Sequence, residues 1–141
     1  MTKFLERINT MSISAHFHHV GLACEDIEKT RESLACLFPD VISSSEIIHD
    51  EGLQAYVQLV KLDNGSFFEF VSGDIVKSFI KKNVFQYHCC FEVDLLDHLT
   101  KNTCFTEFLA ITPAKPAKLF DGRRVQFFHT PIGIVEMLER N

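Results

Sequence analysis

The sequence predicts an α+β fold in which two βαβββ modules pair to form a half-open, mixed-sheet cleft. Three observations lead there. At 141 residues, 46% hydrophobic and 23% charged, the chain has the size and balance of one globular domain, since domains run to about 100–200 residues. Its apolar residues repeat every second position in most segments and with helical spacing in a few, in the order strand, helix, three strands. That order then occurs again, and each copy opens on a strand bearing a histidine and closes on an apolar strand interrupted by one glutamate.

Residues 1–14 precede this pattern. They carry a short amphipathic stretch and then small polar residues, read as an N-terminal extension with no assigned function, and Met11 is an alternative start to Met1. The domain proper is expected over 15–141, with modules at about 15–72 and 85–140. His16 to Cys24 alternates as a strand. Glu25 and Asp26 then place negative charge where a helix N-terminus concentrates positive partial charge. Ile27, Thr30, Leu34 and Leu37 form the helix stripe, and Pro39 ends it. Val41 to Ile48 reads as the second strand, Asp50-Glu51-Gly52 as a turn and Leu53 to Leu62 as the third strand. Asp63-Asn64-Gly65 is a hairpin signal leading into a fourth strand, Ser66 to Val71. A helical linker from Asp74 to Lys82 reaches the second copy. There Gln86 to Val93 is a strand, Asp94 to Lys101 a helix with an acidic start, Thr103 to Ile111 a strand and 112–118 a proline-punctuated loop. Arg123 to His129 and Ile134 to Leu138 close it as a hairpin.

Fourteen Lys and Arg against nineteen Asp and Glu give a net charge of −5, the wrong sign for nucleic acid or anionic lipid. No uncharged apolar run approaches the ~18 residues of a membrane span, and the first residues lack the apolar region of a signal peptide. The expectation is a soluble cytoplasmic protein acting on a small molecule, with no nucleic-acid or membrane partner. Five cysteines, an odd number with no CxxC spacing, are expected to be reduced thiols. A chain of this length buries about two-thirds of its unfolded surface without a disulfide or structural metal, so any metal is expected to serve chemistry.

Parity supplies the site candidates, because successive side chains of a strand point to opposite faces. Val20 and Leu22 commit one face of the first strand to packing and leave His19, Gly21 and Ala23 on the other. By the same argument Phe68 and Phe70 leave Glu69; Tyr87, Cys89, Phe91 and Val93 leave His88 and Cys90; Val135 and Met137 leave Glu136. His19 and Glu69 are fifty positions apart, His88 and Glu136 forty-eight, as expected of two quasi-equivalent halves that face each other. A carboxylate inside so apolar a strand is costly unless a cation meets it. Two imidazoles and two carboxylates suit a divalent ion, and their N and O donors favour Mn, Fe, Co, Ni or Zn over a thiolate-seeking ion. The alternative for Glu136 is an ion pair with Arg123 or Arg124. Cys90 is read as a small buried thiol and His129 as structural.

His18-His-Val-Gly-Leu-Ala-Cys24-Glu-Asp-Ile27, Phe67-Phe-Glu-Phe-Val71, His88-Cys-Cys-Phe-Glu-Val-Asp94, Gly122-Arg-Arg-Val-Gln-Phe-Phe-His129 and Gly133-Ile-Val-Glu-Met-Leu-Glu139 resemble the vicinal oxygen chelate superfamily. That group includes glyoxalase I, methylmalonyl-CoA epimerase, extradiol dioxygenases and fosfomycin-resistance proteins. The likeness runs from about Phe17 to Arg140, and the opening segment and the Arg-Arg-Val hairpin look most like the epimerase branch. The resemblance implies the metal ligands His19, Glu69, His88 and Glu136, the same four that parity selects. It also implies a homodimer and a reaction in which a proton moves on a carbon beside a metal-chelated carbonyl, with Glu136 and Glu69 as the catalytic carboxylates. An acyl thioester or small oxo acid is the expected substrate.

One departure bears on the reaction. The epimerases place a further carboxylate on the third strand, and Leu53 to Leu62 contains none; Gln54, Tyr56 or Gln58 are the candidates for orienting substrate instead, with ordinary strand filling as the favoured reading for each. Lys115, Lys118, Arg123 and Arg124 form the only basic cluster, suited to the phosphates of CoA or another acyl carrier, with a solvated loop as the alternative reading. A glyoxalase I-type lyase and a metal-free small-molecule binding or resistance protein are the rival functions; the latter is expected to lose the ligand set.

Overall fold

The structure is a computed structural model and describes residues 14–38, 41–101 and 107–140. Its elements are β1 (His16–Ala23), α1 (Ile27–Leu34), β2 (Ser43–Ser44), β3 (Ile48–Asp50), β4 (Ala55–Lys61), β5 (Phe67–Gly73), α2 (Asp74–Lys81), β6 (Gln86–Val93), α3 (Asp97–Lys101), β7 (Leu109–Ala110), β8 (Lys115–Pro116), a single 3-10 turn (Lys118–Phe120), β9 (Arg124–Thr130) and β10 (Gly133–Glu139). The ten strands form one mixed sheet in the order β2-β4-β5-β1-β6-β10-β9-β7, with β3 beside β4 and β8 beside β9. At its centre β1 runs antiparallel to β6, and each is flanked by a parallel neighbour, β5 for β1 and β10 for β6.

Local chemistry accounts for the element boundaries. Asp26, in extended conformation, caps α1 by accepting a hydrogen bond from the Lys29 backbone N at 3.0 Å, which satisfies one of the free N–H groups of the first turn. The helix ends at Leu34, so Leu37 is 67% exposed instead of completing the stripe. The single second strand expected from Val41 to Ile48 is broken into β2 and β3. The turn expected to begin at Asp50 begins after it, so that Asp50 belongs to β3 and accepts a hydrogen bond from Leu53 N. The expected strand Thr103 to Ile111 lies partly outside the described residues, and β7 is its described part; residues 1–13 also lie outside them. Among the described residues no helix is long and apolar enough to cross a membrane.

Both faces of the sheet are packed. On the face covered by α1 and α3, Ile27 joins Cys24, Val60 and Phe70, while Leu99 joins Val93, Leu96, Phe128, Val135 and Met137. On the opposite face, Ala23, Ala55, Val57 and Val71 meet Val76, and Cys90, Val125 and Leu138 meet Ala117 and Phe120 from the segment between β8 and β9. That segment reaches across to β3 and β4. The cleft is therefore lined by both halves and closed over by the 3-10 turn.

Candidate metal centre

Four neighbouring central strands build the site, and their register explains why the side chains converge. In one cross-strand row Gly21 lies between Glu69 on β5 and His88 on β6; in the next, Cys90 lies between His19 on β1 and Glu136 on β10. Each row sets a small residue between two long polar ones, so the long side chains lean over the small ones toward a common point. Gly21 is indispensable to this arrangement. A Cβ there would lie 2.0 Å from His88 Cε1 and 2.2 Å from its Nδ1, well inside van der Waals contact.

The result is a tight group of nitrogen and oxygen donors. His19 Nε2 is 3.1 Å from His88 Nε2, 3.6 Å from Glu69 Oε2 and 3.7 Å from Glu136 Oε1. His88 Nε2 is 3.8 Å from Glu69 Oε1 and 3.9 Å from Glu136 Oε2. One donor atom from each of the four residues lies within 4.8 Å of all the others, and none of the four residues is more than 4% exposed. Donors bound to one ion at about 2.0–2.2 Å are separated by up to about 4 Å, so the cluster needs only a small contraction to coordinate.

Burial dictates the charge state. It lowers the pKa of His19 well below the ordinary value and that of His88 to about 3. It raises Glu69 well above the ordinary carboxylate value, with the Glu136 and Asp50 carboxylates adding to the effect, and pushes Glu136 up to about 7. Glu136 Oε1 is buried without a hydrogen-bond partner. A desolvated carboxylate oxygen aimed at two neutral imidazoles fits a cation and fits little else.

The arginines offered as partners of Glu136 are engaged elsewhere. Arg123 Nη1 donates to Glu92 at 2.9 Å, and Arg124 makes two hydrogen bonds to Glu139, at 3.1 and 2.8 Å, with Asp97 3.6 Å away. Glu136 therefore has no arginine partner, which corrects that alternative. Gln54 and Tyr56 also lie away from the cluster. Gln54 is an exposed turn residue with φ 49°, and Tyr56 is 54% exposed with its ring edge against His49. Gln58 is buried but lies on the face opposite Leu59, the register partner of Glu69, and binds Arg31 and the Ser45 carbonyl. Lys115 borders the cavity at the cluster, while the exposed Lys118 donates to the His49 carbonyl at 3.4 Å.

Two residues at the site escaped the sequence reading. Asp50, 8% exposed, borders the same cavity of about 30 Å³ as Glu69 and Glu136; the Asp-Glu-Gly string around it reads as a turn, and only the parity it shares with Ile48 points inward. Phe120, just past the 112–118 loop and assigned to no element, stacks on His19 with ring centroids 5.6 Å apart and 18° between planes. Larger hollows of about 320 and 790 Å³ lie beside α1 and are lined mainly by apolar side chains such as Leu34, Phe38 and Phe68. The two carboxyl groups of the cluster border the cavity of about 30 Å³ instead.

No family model and no curated protein matches the sequence. Solved structures do match. Methylmalonyl-CoA epimerase from Mycobacterium tuberculosis superposes with a TM-score of 0.71 at 14% identity, covering 94% of this chain and 91% of that one. A hypothetical protein from Bacillus halodurans gives 0.69 at 15% identity over 91% of this chain and 96% of its own. A variant of Streptomyces coelicolor methylmalonyl-CoA epimerase in complex with 2-nitronate-propionyl-CoA gives 0.66 at 17% identity, covering 91% and 98%. Across nearly the whole length of both partners, then, this chain has the glyoxalase, or vicinal oxygen chelate, fold.

Proposed function

We propose that the protein is a divalent-metal enzyme that moves a proton on a carbon beside a chelated carbonyl, an epimerase-type isomerase acting on a small acyl thioester or oxo acid. The observation that carries this reading is the convergence of His19, Glu69, His88 and Glu136 in a dry site, with an unpaired carboxylate oxygen among them. Likeness to structures of methylmalonyl-CoA epimerases, one of them holding a CoA-linked ligand, supports the substrate class. Co, Ni, Zn, Mn or Fe suits the donor set, with His19, Glu69, His88 and Glu136 as ligands. When bound, the ion supplies Lewis-acid stabilisation of negative charge developing on the substrate oxygen.

The side chains supply the rest. Glu136, whose Oε1 has no hydrogen-bond partner, is the carboxylate that takes the proton from the substrate carbon and returns it. Asp50 provides a carboxyl group in the same cavity and fills the role for which the third strand offers no residue, a second group to exchange a proton with the substrate carbon. Phe120 and the aliphatic side chains of β4 exclude water. The cavity admits only a water-sized group, so an acyl substrate requires the Lys118–Phe120 turn to draw back. Lys115 and Lys118 then stand at the entrance, where a carrier phosphate would meet positive charge; Arg123 and Arg124 would contribute only after leaving their carboxylate partners. A homodimer and a cytoplasmic location belong to the same proposal.

The test is deuterium exchange at the α-carbon of methylmalonyl-CoA and related thioesters in D₂O, with each divalent ion added in turn to chelator-treated protein. Metal-dependent exchange that Glu136→Gln abolishes is expected. Equal exchange by metal-free protein, or none with any ion and thioester, would refute the proposal.

A further inference from the structure

Alternation along β1 assigns His18 to the face opposite His19, yet both residues are buried, at 7% and 0% exposed. The cause is a bulge. Phe17 pairs with Phe91 and His19 with Cys90, so two steps along β1 match one step along β6 and His18 is the extra residue. Bulges of this kind re-aim a side chain at the expense of ladder pairing. Here the re-aimed imidazole brings its Nδ1 to 2.8 Å from Nδ1 of His19. It is held there by Phe67, stacked at 4.6 Å and 15°, and by the edge of Phe120 at 5.5 Å.

Two imidazole nitrogens at hydrogen-bond distance need one proton between them, and each ring has two tautomers through which to supply it. His19 turns its other nitrogen, Nε2, toward His88, Glu69 and Glu136, and a nitrogen that ligates an ion carries no proton. The proton of a ligating His19 therefore resides on Nδ1, and His18 must be the acceptor. Buried His88 Nδ1, by contrast, has no hydrogen-bond partner, and its ring is located by packing over Gly21.

We infer that His18 is a positioning residue, bulged out of strand register so that its unprotonated Nδ1 accepts from His19 Nδ1–H and fixes the tautomer that presents the Nε2 lone pair to the cluster. The inference rests on the metal reading proposed above. Its chemistry is that of an outer hydrogen-bond partner, which orients a ligand histidine and raises its basicity.

The experiment combines zinc titration against a chromogenic chelator with NMR spectra of ¹⁵N-histidine-labelled, metal-free protein. Wild-type protein is expected to show His19 protonated at Nδ1. His18→Phe keeps an aromatic ring against Phe67 but removes the acceptor, and should weaken zinc binding about 10- to 100-fold. His18→Asn, whose amide oxygen falls near the position of the ring Nδ1, should bind within a few-fold of wild type. A His18→Phe protein that binds zinc as tightly as wild type, or a His19 protonated at Nε2 in the wild-type spectrum, overturns the inference. Should wild-type protein bind neither zinc nor Co, Ni, Mn or Fe, the proposed function fails, whereas the wild-type spectrum still decides the role of His18. The same spectrum decides it should His18→Phe fail to fold.

Discussion

Loading the site with a divalent ion should expel protons, and they should come from carboxyl groups and not from imidazoles. Burial holds Glu136 near pH 7, so at pH 6 it is about nine-tenths protonated and at pH 8 about one-tenth. Glu69 is also raised well above the ordinary carboxylate value, by burial and by the Glu136 and Asp50 carboxylates, and both must ionise to act as ligands. With His88 held at about 3 and His19 also well below its ordinary value, the imidazoles are already neutral and have nothing to release. Zinc binding at pH 6 should therefore release at least about one proton, the share from Glu136 falling to about one-tenth at pH 8, and apparent affinity should rise with pH through about 7. Calorimetric titrations in buffers of different ionisation enthalpy give the proton count, and infrared spectra identify its source as the carbonyl band of protonated carboxyl groups that zinc removes. Release of less than half a proton at pH 6, or carboxylates already ionised before zinc is added, would refute the electrostatic reasoning.

Stability of the metal-free protein should vary little with pH between about 4.5 and 6.5 as far as these four groups are concerned. The raised carboxyls contribute stability that is present below 4.5 and lost as pH rises through their folded-state values, about 7 for Glu136, whereas the lowered imidazoles contribute stability that is present above 6.5 and lost as pH falls through theirs, about 3 for His88. Denaturation midpoints across that range measure the balance, and a steep slope in either direction would show that one pair is not shifted as described. Gly21→Ala should displace His88, lower stability by about 1–3 kcal/mol and weaken zinc binding while leaving the circular dichroism of the sheet unchanged; retained affinity would mean that His88 is not a ligand. Phe120→Ala removes a buried ring stacked on His19, at a cost of about 3–5 kcal/mol, and should speed zinc association in stopped-flow measurements. An unchanged rate would place the ion's route elsewhere.

Four donors were legible from sequence because strand alternation is strict where pairing is regular, and β5 and β10 keep that regularity through Glu69 and Glu136, while His19 and His88 keep their face beside register shifts at His18 and Tyr87. His18 was not, because a bulge depends on the partner strand and leaves no local signal. Asp50 was hidden by turn chemistry; its Asp-Glu-Gly string serves the turn one residue later than expected, which leaves the aspartate on β3. The basic cluster shows a different limit. Composition located Arg123 and Arg124, but only the folded sheet shows Glu92 of β6 and Glu139 of β10 neutralising them. The face taken by Tyr56 and Gln58 was likewise not legible. Nothing in the third strand's own pattern says which side holds the donors, and Leu59, not Gln58, turns out to share the row of Glu69.

The donors are divided evenly along the chain, two before residue 70 and two after residue 87, yet they meet over a single antiparallel seam between β1 and β6. An ion seated there would act as a rivet between stretches of polypeptide made at different times on the ribosome. Expressed as two separate polypeptides, the halves should each be blind to zinc and acquire it only on reassociation, so uptake of the ion would report complementation of the split protein directly.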